Sequence, residues 1–213
     1  MPYLFTKLSS GVPGELRGLQ YLHENYGSMP WEDLIRPSVE IARHGFPIDE
    51  SLVEVFNGVE NPEFLTKDPA WAVDFAPNGT LLGLGDILTR KRLASVLERI
   101  AIEGPDVFYE GDIAEATIRA LQAKNGIMTL KDLKDYRALR RQPITIDYHD
   151  FRITSLGAPS GGSVVLSVLK TVERYQQFGD NATLNISTHR LDEAIRFSFG
   201  AVSNPRFRSR YAH

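Results

Sequence analysis

The sequence contains no cysteine. That excludes a disulfide framework, a thiolate zinc site and a cysteine nucleophile, and with them the small disulfide-stapled scaffolds, most zinc modules and the thiol enzymes. An excess of charge of one sign is also lacking. Lys and Arg number 24 against 27 Asp and Glu, a net charge of -3, which leaves no electrostatic footprint for nucleic acid. No stretch approaches the roughly 18 consecutive apolar residues that a membrane-spanning helix needs. The opening MPYLFTKLSS has no cationic segment followed by a sustained apolar run, so it does not read as a signal peptide. Internal repeats and low-complexity segments are missing too. What is present is a composition of 42% hydrophobic and 24% charged residues over 213 positions, that of a folded protein rather than a disordered one. The length suits one domain or slightly more, and a chain of this size can bury about 70% of its unfolded surface.

The first half reads as helices punctuated by Gly and Pro. GVPGELRG (11–18) is a turn feeding a helix with Leu16, Leu19, Leu22 and Tyr26 on one side and Gly27 at its end. Pro30 and Pro37 each sit where a helix can begin, because a first-turn proline loses no hydrogen bond. Glu32 and Asp33 suit the positive end of the first, and the second ends at His44-Gly45. Residues 57–88, broken by Pro62, Pro69, Pro77 and four Gly, are expected to be irregular. Leu93, Val96, Leu97, Ile100 and Ala101 then repeat at helical spacing over 89–103, stopped by Gly104-Pro105. Another helix is expected over about 111–124 with Ile113, Ala116, Ala120 and Leu121 inward, followed by a short one opened by the capping pair Thr129 and Asp132. At Pro143 the period changes to two. Ile144, Ile146 and Tyr148 alternate with polar residues, predicting a strand, and Phe151–Ser155 a second one after a tight turn at His149-Asp150. LGAPSGG (156–162) leads into an apolar helix with Val164, Val165, Val168, Leu169 and Val172. A last helix, with Ser187 or Thr188 as N-cap, carries Leu191, Ala194, Ile195 and Phe199. The five Arg between Ile186 and His213 read as a solvated helix face running into a tail rather than a binding arm.

Few residues stand out chemically. Ser160 lies between a strand and a helix in Ala158-Pro159-Ser160-Gly161-Gly162, a relaxed relative of the G-x-S-x-G nucleophile elbow. Pro159 precedes it, however, and only His189 and His213 follow it as candidate bases. A glycine-rich turn used for close packing accounts for the same residues. No Lys follows the glycines as a P-loop requires, and G-x-G-x-x-G is absent. His23-Glu24 does not continue as H-E-x-x-H, and His23, His44, His149, His189 and His213 show no ligand spacing. No metal, cofactor-binding or substrate-binding residues are therefore assigned, and no cofactor is expected. Three N-x-S/T sequons occur at Asn78, Asn181 and Asn185, which matter only for a chain that enters a secretory pathway.

Several runs, in order, resemble the large subunit of the γ-glutamyltransferases (γ-glutamyltranspeptidase, glutathione hydrolase). GVPGELRGLQYLHENYGSMPW (11–31) is similar to that family's Val-Pro-Gly-Glu-x-x-Gly turn and following helix. LIRPSVEIARHGFPI (34–48) resembles its next helix. LASVLERIAIEGPDVFYEGDIAEATI (93–118) resembles the stretch ending in Phe-Tyr-x-Gly, and NGIMTLKDLKDY (125–136) the Gly-x-x-Thr-x-x-Asp-Leu-x-x-Tyr run. APSGG (158–162) matches Pro-Ser-Ser-Gly-Gly in part, and HRLDEAIRFSF (189–199) resembles the helix after it.

The resemblance implies an α+β, mostly helical portion of an N-terminal-nucleophile hydrolase of αββα architecture. It implies a single partial large-subunit domain over 1–213: a helical region over about 11–142, a β-hairpin plus helices over about 143–200, and an irregular tail at 201–213. The chemistry implied is cleavage of the γ-glutamyl amide of glutathione through a γ-glutamyl-threonine ester, resolved by water or by an amino-acid or dipeptide acceptor. The nucleophile of such enzymes is the N-terminal Thr of a small subunit, whose own amine serves as base. In the family the Arg that grips the substrate lies upstream of the Val-Pro-Gly turn and the Thr-Thr-His junction follows the large subunit. Neither has a counterpart here. Thr188-His189 precedes a large-subunit helix rather than a strand and is not that junction. Asn204 stands where the family's Asp-Pro-x-Phe has Asp. No catalytic residue is therefore carried over, and Ser160, Gly161 and Gly162 are at most a structural turn near the subunit contact. The implied partners are the small subunit and the glutathione and acceptor substrates, with no nucleic acid and no membrane span. A cephalosporin-acylase-like amidase subunit and a non-catalytic module derived from the large subunit are the alternatives. Members of the family are typically extracellular, membrane-anchored, periplasmic or vacuolar, and the sequence assigns no compartment.

Overall fold

The structure, a computed structural model, describes residues 10–203. The readings made on the opening residues, on Asn204 and on the tail to His213 lie outside the described residues. The chain divides into two compact units, residues 1–138 and 139–213.

The first unit is helical. Helix α1 (Glu15–Tyr26) ends where expected, with the Gly27 N–H donating to His23 O. Helix α2 (Trp31–His44) is one continuous helix with Pro30 before it and Pro37 inside it, so Pro37 does not open a second helix. A proline beyond the first turn removes one backbone hydrogen bond. Side-chain burial carries the helix through that gap: Val39 and Ala42 are buried against Ala94, with Ile35 and Leu97 packed beside them. Trp31 Nε1 donates to Ile100 O at 2.9 Å and Arg43 pairs with Glu98 at 2.7 Å, both onto the same neighbouring helix.

After α2, the two-residue strand β1 (Phe46–Pro47) leads to α3 (Glu50–Gly58), α4 (Glu63–Lys67), α5 (Pro69–Phe75) and β2 (Ile87–Leu88), which pairs antiparallel with β1. Within the span expected to be irregular, 57–75 is largely ordered into short helices, whereas 76–86 does run as turns and irregular chain. Two acids and one proline act as helix starters here. Asp49 accepts from Leu52 N–H, Asp68 accepts from Ala70 N–H, and Pro69 takes the first helical position. Ile48, Phe56, Leu65 and Leu88 form the core beneath these pieces, with Phe75 edge-on to Phe56 at 5.8 Å.

Helix α6 (Lys91–Glu103) follows the expected period and buries Ala94, Ile100 and Ala101. Then come α7 (Asp106–Tyr109), α8 (Asp112–Gln122) and α9 (Leu130–Asp135). In α8 the buried face is Ala114 and Ile118, rotated from the expected face, since Ala116 and Ala120 are exposed. The capping box of α9 forms as read, with Thr129 and Asp132 satisfying each other's backbone N–H groups. Tyr109, fully buried, centres the core made with Ala114, Ile118, Met128 and Leu133. Its hydroxyl donates to Pro13 O at 2.7 Å and accepts from Arg17 N–H at 3.2 Å. The Arg17 guanidinium lies 4.2 Å from the ring centroid. Gly14 is packed so closely that a Cβ there would stand 2.1 Å from the Tyr136 hydroxyl.

The second unit is a hairpin with helices. Strands β3 (Ile144–Tyr148) and β4 (Phe151–Ser155) pair antiparallel with Ile146 opposite Ile153, joined through His149 at φ +49. Helix α10 (Gly162–Val172) buries Val164, Leu166, Val168 and Val172. Helix α11 (Leu184–Ser203) follows a short 3-10 turn at Asn181–Thr183. Neither Ser187 nor Thr188 caps α11, which begins at Leu184. Ser187 is buried within it and accepts the Gly179 N–H at 3.1 Å, and the Thr188 hydroxyl donates back to Leu184 O at 2.9 Å. The core here joins Val164, Val168 and Val172 to Ala194, with Tyr148 and Phe178 packed on it.

These contacts have measurable consequences. Tyr109→Phe leaves the Pro13 carbonyl and the Arg17 amide unpartnered and is expected to lower stability by about 2 kcal/mol in urea denaturation. Asp112, Asp132 and Glu173 are held below their ordinary carboxylate values, chiefly by hydrogen bonds from the Arg99, Thr129 and Lys170 side chains respectively. Their stabilisation is present above the unfolded-state pKa and lost as pH falls through the lower folded-state value. The urea midpoint should therefore drop as pH is taken below about 4, and less steeply in Asp112→Asn with Asp132→Asn.

Candidate functional site

The turn after β4 is the one place where the sequence suggested chemistry. It runs Leu156-Gly157-Ala158-Pro159-Ser160-Gly161, with a cis bond between Ala158 and Pro159, and delivers the chain into α10. The Ser160 N–H donates to Gly157 O at 2.9 Å, closing the turn. Gly162 is buried, and a Cβ on it would stand 2.1 Å from Leu156 O and 2.3 Å from Ser155 Oγ. Gly161 has no such neighbour. The glycine pair thus serves close approach of helix to strand, and the decisive member is Gly162.

Ser160 itself is exposed, and among the described residues its hydroxyl has no hydrogen-bond partner of the kind a nucleophile needs. His149 lies edge-on to Tyr148 at 4.4 Å, and its backbone N–H donates to Glu173 Oε1 at 2.7 Å. Thr188, already engaged with Leu184 O, sits inside α11 and not at a free amine. Among the described residues no group of three or more His, Cys, Asp or Glu could hold a metal ion.

Two features of the first unit escaped the sequence reading. A groove of about 550 Å³ is bounded by α1, α2 and α6 and lined by Leu16, Leu19, Leu22, Trp31, Leu34 and Ile100 among others. The helical spacing of the α1 leucines was legible, but the face they mark is open rather than packed: α1 buries no residue, and Leu22 and Tyr26 are 55% and 71% exposed. A second, polar cleft of about 340 Å³ holds Arg17, Asp106, Glu110 and Arg137. Its charges are largely spoken for, since Arg17 pairs with Asp106, Glu110 with Lys134, and Arg137 donates to the Lys134 and Tyr136 carbonyls. The arrangement offers an apolar contact surface and a tightly built turn.

Comparison with known proteins decides the family. A sequence model described as gamma-glutamyltranspeptidase matches residues 3–207. The chain belongs to the gamma-glutamyltranspeptidase family. It is 47% identical over 196 residues to a glutathione hydrolase of Aspergillus flavus, covering 91% of this chain and 33% of that protein. A glutathione hydrolase proenzyme of Arthroderma benhamiae is 48% identical over 194 residues, again with 91% and 33% covered. Among solved structures, the gamma-glutamyltranspeptidase of Helicobacter pylori superposes with a TM-score of 0.83 at 28% identity, covering 92% of this chain and 56% of that one. This gamma-glutamyltranspeptidase-family chain thus spans about a third of the length of the curated relatives it matches. Its fold is the mostly helical α+β portion of an N-terminal-nucleophile hydrolase that the resemblance implied.

The turn gives two testable expectations. Gly162→Ala should destabilise the chain by about 2 kcal/mol through overpacking, whereas Gly161→Ala should cost at most about 1 kcal/mol, both read from thermal or urea denaturation. A fluorophosphonate probe is expected to leave Ser160 unlabelled, as judged by intact mass.

Proposed function

We propose that this chain is large-subunit scaffold of a γ-glutamyltransferase that acts on glutathione, and that it supplies structure rather than the nucleophile. Residues 1–213 belong, in this reading, to one large-subunit domain. The reaction is attack by a threonine hydroxyl on the γ-glutamyl amide, departure of cysteinylglycine, and transfer of the γ-glutamyl group to water, an amino acid or a dipeptide. The threonine and the amine that activates it come from the N-terminus of a small subunit, and an oxyanion hole stabilises both tetrahedral intermediates. This chain is inactive by itself.

The observation that carries the reading is the family match over residues 3–207, joined to a structure whose hydroxyl candidates, Ser160 and Thr188, have no hydrogen-bonded base among the described residues. The apolar groove on α1 and α2 supports a partner subunit, because an apolar helix face left unpacked ordinarily finds a covering surface. In the second unit the exposed Phe197 and Phe199 of α11 support the same conclusion. The Ser160–Gly162 turn is placed, in this proposal, near the subunit contact.

The test is direct. Purified chain incubated with γ-glutamyl-p-nitroanilide and glycylglycine should release no nitroaniline above the buffer rate. Sustained release proportional to chain concentration would overturn the proposal.

A further inference from the structure

We propose that Asn78 is an acceptor for an N-linked oligosaccharide in the folded chain, and that the sequons at Asn181 and Asn185 are not. The inference is independent of the γ-glutamyl chemistry. An N-x-S/T site needs both an accessible carboxamide and an accessible hydroxyl two residues later, and the structure separates the three candidates on the second requirement.

Asn78-Gly79-Thr80 lies on the loop that follows α5. The Leu82 N–H donates to Phe75 O at 2.9 Å and closes this loop at its base. Beyond that bond, Pro77, Asn78, Gly79 and Thr80 are all exposed. The loop tip is held by one backbone bond, Gly79 N–H to Ala76 O at 2.9 Å. A Cβ built on Gly79 would meet nothing within 4 Å, so the space around the tip is open. No side chain engages the Thr80 hydroxyl among the described residues. A segment with so few bonds can open locally at little cost, which entry into a transferase site requires.

The other two sequons are built into structure. The Thr183 hydroxyl donates to Gln177 O and stabilises the turn ahead of α11. Ser187 is 3% exposed and accepts the Gly179 N–H. Presenting either hydroxyl to a transferase means unwinding the start of α11. Asn181 and Asn185 are themselves exposed, so carboxamide exposure alone would not have told the three apart.

The donor is an oligosaccharide linked to a polyprenyl lipid through a diphosphate. The Asn78 Nδ2 forms a bond to the anomeric carbon, the bond from that carbon to the diphosphate oxygen breaks, and the lipid diphosphate leaves with that electron pair. The amide nitrogen gives up one proton in exchange. No oxidant or reductant takes part.

The experiment incubates the purified, folded full chain with a eukaryotic oligosaccharyltransferase and its lipid-linked donor. Short synthetic peptides carrying each sequon run alongside. Intact mass should show one glycan per chain, mapped to Asn78 by enzymatic deglycosylation in heavy-oxygen water and abolished in Thr80→Ala, while all three peptides accept. An unmodified Asn78 in the folded chain beside a glycosylated Asn78 peptide would overturn the proposal. Equal modification of Asn181 or Asn185 in the folded chain would overturn it too.

Discussion

The first unit depends on one buried hydroxyl. Tyr109 reaches back across more than ninety residues to bond Pro13 O and the Arg17 amide, and its ring carries the Arg17 guanidinium. An interaction so distant in sequence fixes the turn at 11–14 and the first turn of α1 together. Burial raises the Tyr109 pKa above its ordinary value, in keeping with a neutral hydroxyl that donates to Pro13 O. Gly14 completes the fit, because only a residue without a side chain lets the backbone lie against Tyr136. The Val-Pro-Gly-Glu and Phe-Tyr-x-Gly runs that mark the family are thus two halves of one contact.

Holding α1 by its first turn has a consequence for the rest of that helix. Leu16 packs on the Tyr109 core, but Leu19, Leu22 and Tyr26 face outward beside Trp31 and Leu34 of α2, and no residue of the helix is fully buried. A stripe at helical period ordinarily faces a core. Here the same pattern is left open, and the proposed subunit contact would give that face a purpose. Chemistry and scaffold are divided in this account. The chain contributes packed helices and a close-built turn at Gly162, and in the proposed function the reacting hydroxyl is the small subunit's.

Legibility in the sequence followed the range of the interactions. The α9 capping box, the α6 period and the β3–β4 alternation are local, and each was readable from a handful of neighbouring residues. Pro37 misled because a mid-helix proline is tolerated only through burial of Val39 and Ala42, which is tertiary. The short helices α3 to α5 were hidden because Pro69 read as a breaker when it starts a helix, and because the caps Asp49 and Asp68 open helices too short to show a period. Strands β1 and β2 pair two residues each across about forty positions and leave no periodic signature at all. Ser187 looked like a cap, but its bond to Gly179 drew it into the helix interior. At the candidate site the sequence identified the Ser160 turn and its glycines, yet only the backbone shows that Gly162 and not Gly161 is constrained. The α1 groove was invisible because exposure of an apolar face is a property of what does not pack on it.

At the centre of the proposed function, the chain is scaffold for a threonine nucleophile borne by the small subunit. Co-expressing it with a polypeptide that carries the threonine-bearing small subunit and remaining large-subunit sequence of a related enzyme, then trapping the γ-glutamyl ester for peptide mass mapping, tests that division of labour most directly. The account predicts an ester on the N-terminal threonine of the added polypeptide and none on residues of this chain. A γ-glutamyl ester on Ser160, Thr188 or any other residue of this chain would contradict it.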